Sequence, residues 1–139
     1  MAFIDRTIEV EADVRDVYAQ WIAFGDYPDF MVAIESVTLV PDDRLLWVAE
    51  VEGVTHEWDT DLVDHVDEQK IEWRAADGRE VGEVRFEKLG AGRTSVTYQL
   101  EYDPDAWEGD PEVVSRWMER RVTEGLDAFK EIVERRAAA

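Results

Sequence analysis

Cysteine is absent from this 139-residue chain. Its absence excludes disulfides, thiolate nucleophiles and cysteine-ligated zinc or iron–sulfur centres. Histidine is nearly absent too: His56 and His65 stand nine residues apart in a stretch that reads as strand. A metal would have to draw carboxylates from elsewhere, so no metal and no other cofactor is expected. Basic residues are scarce, 15 against 34 acids, and the formal charge of −19 repels phosphate backbones and anionic leaflets. Nucleic-acid binding is disfavoured on that ground. The acids are spread along the chain, as on a solubilising or salt-tolerant surface, instead of forming one docking tail. Long apolar runs are also missing, since nothing approaches the roughly 18 consecutive apolar residues of a membrane span and no basic start precedes an apolar stretch. Stable membrane insertion is not expected, and the cytoplasm is the expected location.

What remains is enough for one domain over residues 1–139 with a real hydrophobic core. Phe3 to Glu11 alternates as a strand, with Ile4, Ile8 and Val10 on one face and Arg6 as the exception. Asp13 can cap a helix in which Val14, Val17, Tyr18, Trp21 and Ile22 form the apolar stripe and Gly25 marks the end. Asp26 to Met31 combines a turn-forming proline with Tyr27, Phe30 and Met31, which predicts a short second helix or a packed loop.

From Ile34 to Asp103 the period changes to two, broken by turn chemistry at Pro41-Asp42-Asp43, Glu52-Gly53, Asp67-Glu68, Asp77-Gly78 and Gly90-Ala91-Gly92. Six hairpin-linked strands follow. Their expected inner faces are Val37 and Leu39; Trp47, Ala49 and Val51; His56, Trp58, Thr60 and Leu62; Ile71, Trp73 and Ala75; Val84 and Phe86; and Val96, Tyr98, Leu100 and Tyr102. Charged residues fill the opposite faces, so one side of the sheet is built to be buried. After a polar interval from Asp103 to Gly109, Asp110-Pro111 opens a helix running to about Arg135. Its stripe is Val114, Met118, Val122, Leu126, Phe129 and Val133, with Trp117 and Ile132 at the margins.

The order is β-α-α-β6-α, an α+β arrangement. A one-faced antiparallel sheet must cover its apolar side, and the long C-terminal helix is the element left to do so. The predicted fold is therefore a curved seven-stranded antiparallel sheet wrapped around that helix.

On this order the chain resembles the START-like, helix-grip superfamily, in particular its polyketide cyclase/dehydrase and lipid-transport group, which includes the coenzyme Q-binding proteins. The resemblance is carried by Ile8-Glu9-Val10, Tyr27-Pro28-Asp29-Phe30-Met31 with Ile34-Glu35-Ser36-Val37, Glu57-Trp58 with Thr60, Ile71-Glu72-Trp73, Gly82 with Val84 and Phe86, Gly92-Arg93-Thr94, Tyr102-Asp103-Pro104, and Leu126 with Phe129-Lys130. It implies a cavity between sheet and long helix, open near the hairpin tips and the short second helix. It also implies a small hydrophobic ligand as partner. The cyclases of this group are thought to use an inward arginine on the strand after a Glu-Trp-like segment and a tyrosine after the short helix. The corresponding places here hold Asp61-Leu62 and Ile34, so neither residue carries over.

The candidate ligand-contacting residues are His56, Trp58, Thr60, Trp73, Phe86, Tyr98, Trp117 and Arg121. The aromatic ones suit flat or polyprenyl ligands, and equally suit plain core filling. Polar groups on an inner face are more informative, because burying one without a partner costs roughly 1–3 kcal/mol. Two readings stand for Arg121 and His56. Either they orient an acidic or carbonyl-bearing ligand, or Arg121 snorkels to a surface carboxylate such as Glu124 or Glu57 and His56 is a satisfied core histidine. Gly125 costs about 1 kcal/mol in mid-helix relative to alanine, which asks for cavity space or a close strand.

Three functions compete. The first is a protein holding a small aromatic, polyketide or isoprenoid-like molecule. The second is a polyketide cyclase, aromatase or dehydratase with His56 as acid/base. The third is a structural role with a closed core, favoured if the interior is packed without a cavity. The chain is expected to be a monomer or homodimer.

Overall fold

The computed structural model describes residues 1–138. Seven strands, β1 (Ala2–Val10), β2 (Ile34–Val40), β3 (Arg44–Val51), β4 (Val54–Val66), β5 (Lys70–Arg74), β6 (Glu80–Gly90) and β7 (Arg93–Tyr102), pair antiparallel in the order β1-β7-β6-β5-β4-β3-β2. Each of the six predicted strands of the central stretch is present. The helices are α1 (Val14–Trp21) and α2 (Pro111–Ala137), with short 3-10 turns at Phe24–Asp29 and Pro104–Ala106. The sheet is curved and unclosed, and α2 lies across its apolar face against β1, β3 and β7.

Local chemistry explains these elements. Asp13 caps α1 by accepting from the Val14 amide, and Asp110 caps α2 by accepting from that of Glu112, with Pro111 in the first turn where its missing N–H costs nothing. Arg135 and Arg136 close α2 at the negative end of its dipole. The β3–β4 hairpin turns through Glu52 and Gly53, both at positive φ (48° and 82°), the geometry that matches strand twist in a two-residue loop.

The inner-face pattern holds almost throughout, with four departures. Leu39 is exposed near the end of edge strand β2, Ile8 is only partly buried, and so is Leu62, where β4 runs into a register shift. Ile22 is exposed because α1 stops at Trp21, one residue before it. Gly25 does not end α1; it lies inside the following 3-10 turn, and Ile22 is the cap. Arg6, the exception on β1, faces α2 and donates to the Thr123 carbonyl and to Asp127 Oδ1 at 2.8 Å. At Gly125 no strand comes close: a Cβ there would meet the Phe30 carbonyl oxygen at 3.5 Å, an ordinary contact.

Candidate functional site

The buried face carries polar chemistry at its centre. On β6 the alternation Glu80, Gly82, Val84, Phe86 points inward, and Glu80 is fully buried. Gly82 stands opposite Trp73 of β5, and a Cβ at Gly82 would lie 2.1 Å from Trp73 Cζ2. The missing side chain lets the indole lie across the β6 backbone, and its Nε1 donates to Glu80 Oε2 at 2.9 Å.

From α2, Arg121 reaches the same carboxylate with two bonds, Nη1 to Oε1 at 2.8 Å and Nη2 to Oε2 at 3.0 Å. Both side chains have no solvent exposure. The guanidinium carbon sits 4.8 Å from the Trp47 ring centroid and 5.9 Å from that of Trp58, within cation–π range. Those two indoles are cross-strand partners stacked at 5.5 Å, and Trp47 Nε1 donates to Thr60 Oγ1 at 2.9 Å. Burial opposes the Arg121 charge, but Glu80 and Tyr98 beside it outweigh that and hold the guanidinium above its ordinary value. The Tyr98 hydroxyl is pushed up to about 12, first by burial, with Arg121 pulling against it and Glu80 adding to it. A bidentate pair of this kind is well oriented, and losing one member strands the other charge, at a cost of about 3–5 kcal/mol.

Four buried polar atoms around this pair have no hydrogen-bond partner among the described residues: Arg121 Nε, Tyr98 Oη, Trp58 Nε1 and Trp107 Nε1. Tyr98 neighbours the guanidinium closely enough to affect its charge, yet makes no bond of ordinary geometry with it.

Toward the surface lies a second group. His56 stacks on Trp117 (5.5 Å, 15°), and Trp107 packs edge-on against His56, Trp58 and Trp117 at 5.7, 4.7 and 5.4 Å. Trp117 is anchored by donating to the Val32 carbonyl at 2.9 Å, and the Arg79 guanidinium covers Trp107. Burial lowers the His56 pKa, with Glu108 raising it and Arg79 lowering it further. A concavity of about 190 Å³ reaches His56 between the β3–β4 hairpin and the start of α2, lined also by Val51, Val54, Gly109 and Val113. A neighbouring one of about 360 Å³ runs beside Val32, Arg116 and Trp117. None of the concavities described on this surface reaches Arg121, so the open cavity that the resemblance implied between sheet and long helix is not found there, and the closed interior is the arrangement named above for a structural role.

The residues expected from the sequence therefore divide. His56, Trp58 and Trp117 gather at the surface end; Trp73, Tyr98 and Arg121 surround the ion pair; Thr60 is engaged by Trp47. Phe86 stands apart, packed edge-on against Tyr18 and Trp21. Arg121 does not snorkel: Glu124 bonds Arg120 instead, at 2.5 Å, and the partner inside is Glu80. His56 is buried among aromatic rings and borders the smaller concavity, and neither of its ring nitrogens is a buried atom lacking a partner. Two residues escaped the sequence reading. Glu80 was legible by extending the alternation of Val84 and Phe86 backward past Gly82. Trp107 was hidden in the polar interval before α2, where no period marks it, yet only 4% of it is exposed.

Comparison with known proteins agrees with the architecture. The family model described as polyketide cyclase / dehydrase and lipid transport matches residues 10–131. An uncharacterised 17.2 kDa protein of Streptomyces lincolnensis is 28% identical over 98% of this chain and 92% of its own length. The Zhui aromatase/cyclase of a Streptomyces strain superposes with a TM-score of 0.76 at 20% identity, over 97% of this chain and 94% of that one. A START superfamily protein of Mycobacterium smegmatis gives 0.69 at 16%, over 98% and 97%. At these identities the two solved structures speak to the fold alone.

Proposed function

The chain belongs to the polyketide cyclase / dehydrase and lipid transport family, and from that premise we propose that it holds a small hydrophobic ligand, aromatic, polyketide-like or isoprenoid-like, between the sheet and α2. Family and fold are consistent with ligand binding or with polyketide cyclase activity. The observation that carries the ligand reading is how the aromatic chamber is covered. Between the concavity at His56 and the ion pair at Arg121 stand Trp107, Trp117 and Trp58, and Trp107 belongs to a connecting loop and not to the sheet or α2. Gly109, at φ 95°, lies two residues after it and supplies backbone freedom there.

In this structure the interior is closed, so uptake requires Trp107 to swing outward and the ligand to replace its ring against Trp58 and His56. Flat apolar molecules recover the edge and face contacts that the departing indole gives up. Cyclase or dehydratase chemistry on such a ligand would use His56, the titratable imidazole beside Trp58, Trp107 and Trp117, as its acid/base.

The test follows the indole N–H resonances while methyl naphthyl ketone is added. Saturable shifts at Trp58, Trp107 and Trp117, with Trp21 unmoved, are expected. Uniform shifts at every indole, or none at all, would remove the proposal. Turnover of a polyketide-type chain that His56→Ala abolishes without weakening binding would add the enzyme reading.

A further inference from the structure

We propose that Glu80 sets the charge of the ligand: with Arg121 already neutralised inside the fold, the chamber selects an uncharged molecule bearing hydrogen-bond-accepting oxygens over carboxylates and amines of the same shape. This rests on the ligand-holding function proposed above and deepens it. An inward arginine in an apolar chamber would ordinarily invite an acidic ligand. Here that invitation is cancelled. Both guanidinium Nη atoms are bonded to Glu80, and Glu80 is held in turn by Trp73 Nε1.

A carboxylate that enters past Arg79 as far as Arg121 has two routes, and each fails. It can displace Glu80, which has no exposure and would leave its own charge buried without a partner. Alternatively it can lie beside the pair as a second anion in a low-dielectric interior. An entering ammonium meets the opposite difficulty at Arg121. A neutral ligand disturbs neither charge.

The remaining polar groups state what such a ligand must bring. Arg121 Nε, Trp58 Nε1 and Trp107 Nε1 can only donate, and the Tyr98 hydroxyl also holds a proton to give. The two indole N–H groups are buried without a partner among the described residues, and Arg121 Nε and the Tyr98 hydroxyl, which interact with each other, make no other bond. Three of them follow one another toward the surface, Arg121 beside Trp58 at 5.9 Å and Trp58 beside Trp107 at 4.7 Å. The chamber thus has more unpartnered donors than acceptors, His56 and the Tyr98 oxygen being the acceptors it holds. Ketone, quinone or ester oxygens supply that deficit without a charge, whereas alcohols and amines satisfy it less well because they bring further donors.

Three probes on one ring system decide the matter at neutral pH: methyl naphthyl ketone, naphthoate and naphthylmethylamine. The full chain should bind the ketone at least about tenfold more tightly than either ion, as burial of an unpaired charge dictates. Glu80→Gln should move the preference to naphthoate, and Arg121→Gln toward the amine. Either variant is destabilised, so melting temperature serves as the readout: naphthoate should raise that of Glu80→Gln and leave the wild type unchanged. The wild-type series is decisive by itself. Naphthoate binding as tightly as the ketone, with the same indole shifts, overturns the role of Glu80 and leaves the ligand-holding function standing. Failure of all three probes to bind overturns both.

Discussion

Two aromatic clusters lie against the same helix and are covered in different ways. Under the C-terminal half of α2, Trp21 packs against Phe129, Phe30 and Tyr27 at 4.8, 5.7 and 5.8 Å, and the Tyr27 hydroxyl donates to the Trp21 carbonyl. Its pieces come from α1, α2 and the 3-10 turn, and Trp21 and Tyr27 are each 1% exposed. Under the N-terminal half, Trp107, Trp117, Trp58 and His56 make equally close ring contacts, yet a single loop closes them and a concavity ends on His56. Each cluster leaves an indole N–H unpartnered, Trp21 in the first and Trp58 and Trp107 in the second. Aromatic packing or an orphaned indole alone therefore does not mark a binding chamber. The difference lies in what covers the rings and in what charge stands behind them.

The largest effect is expected at the ion pair between the clusters. Arg121→Met should cost about 3–5 kcal/mol in urea unfolding, while the Glu80→Gln, Arg121→Met double variant regains a large part of it. An additive pair of losses would show that the two side chains do not act together. Next, Trp21→Ala should cost about 3–5 kcal/mol as a core truncation, whereas Trp107→Ala costs about half or less and increases uptake of the naphthyl ketone. Equal losses, with uptake unchanged, would erase the distinction between the clusters.

Gly82→Ala comes third, at about 1–3 kcal/mol, because its methyl group must displace Trp73 and loosen the Trp73–Glu80 bond. Chemical shifts at the Trp73 indole would report that movement directly.

The smallest effect is electrostatic and confined to the surface-end cluster. His56 has a lowered pKa in the folded chain, so between the ordinary histidine value of about 6.5 and that lower value the unfolded chain takes up a proton that the folded one does not. Stability is full above that window and falls as pH drops through it. His56→Gln should flatten the decline, and an unchanged slope in the variant would assign it to other groups.

The sheet was readable because its two-residue period and its turn chemistry agree: Glu52-Gly53 and Asp77-Gly78 break the alternation where the chain reverses. The ends of elements were less readable. Ile22 continues the apolar stripe of α1 in sequence but falls after its last turn, and Leu39 keeps the strand parity yet lies exposed near the end of an edge strand. Within the site, His56, Trp58, Tyr98 and Arg121 were legible as members of an inward face. Glu80 was readable in principle through the parity of β6. Trp107 carried no periodic signal, since loop side chains are placed by what they meet and not by a repeat.

By itself, then, the sequence determined which face of each strand is apolar, where the chain turns, and that a capped amphipathic helix must cover the result. These follow from local backbone geometry and from the cost of leaving apolar surface in water. Only the tertiary structure decided that Arg121 meets Glu80, 41 positions away, that Gly82 yields its space to Trp73, and that Trp107 closes one end of the interior. Partnership between distant side chains depends on how far the sheet curves and where the helix crosses it, and no spacing along the chain encodes either.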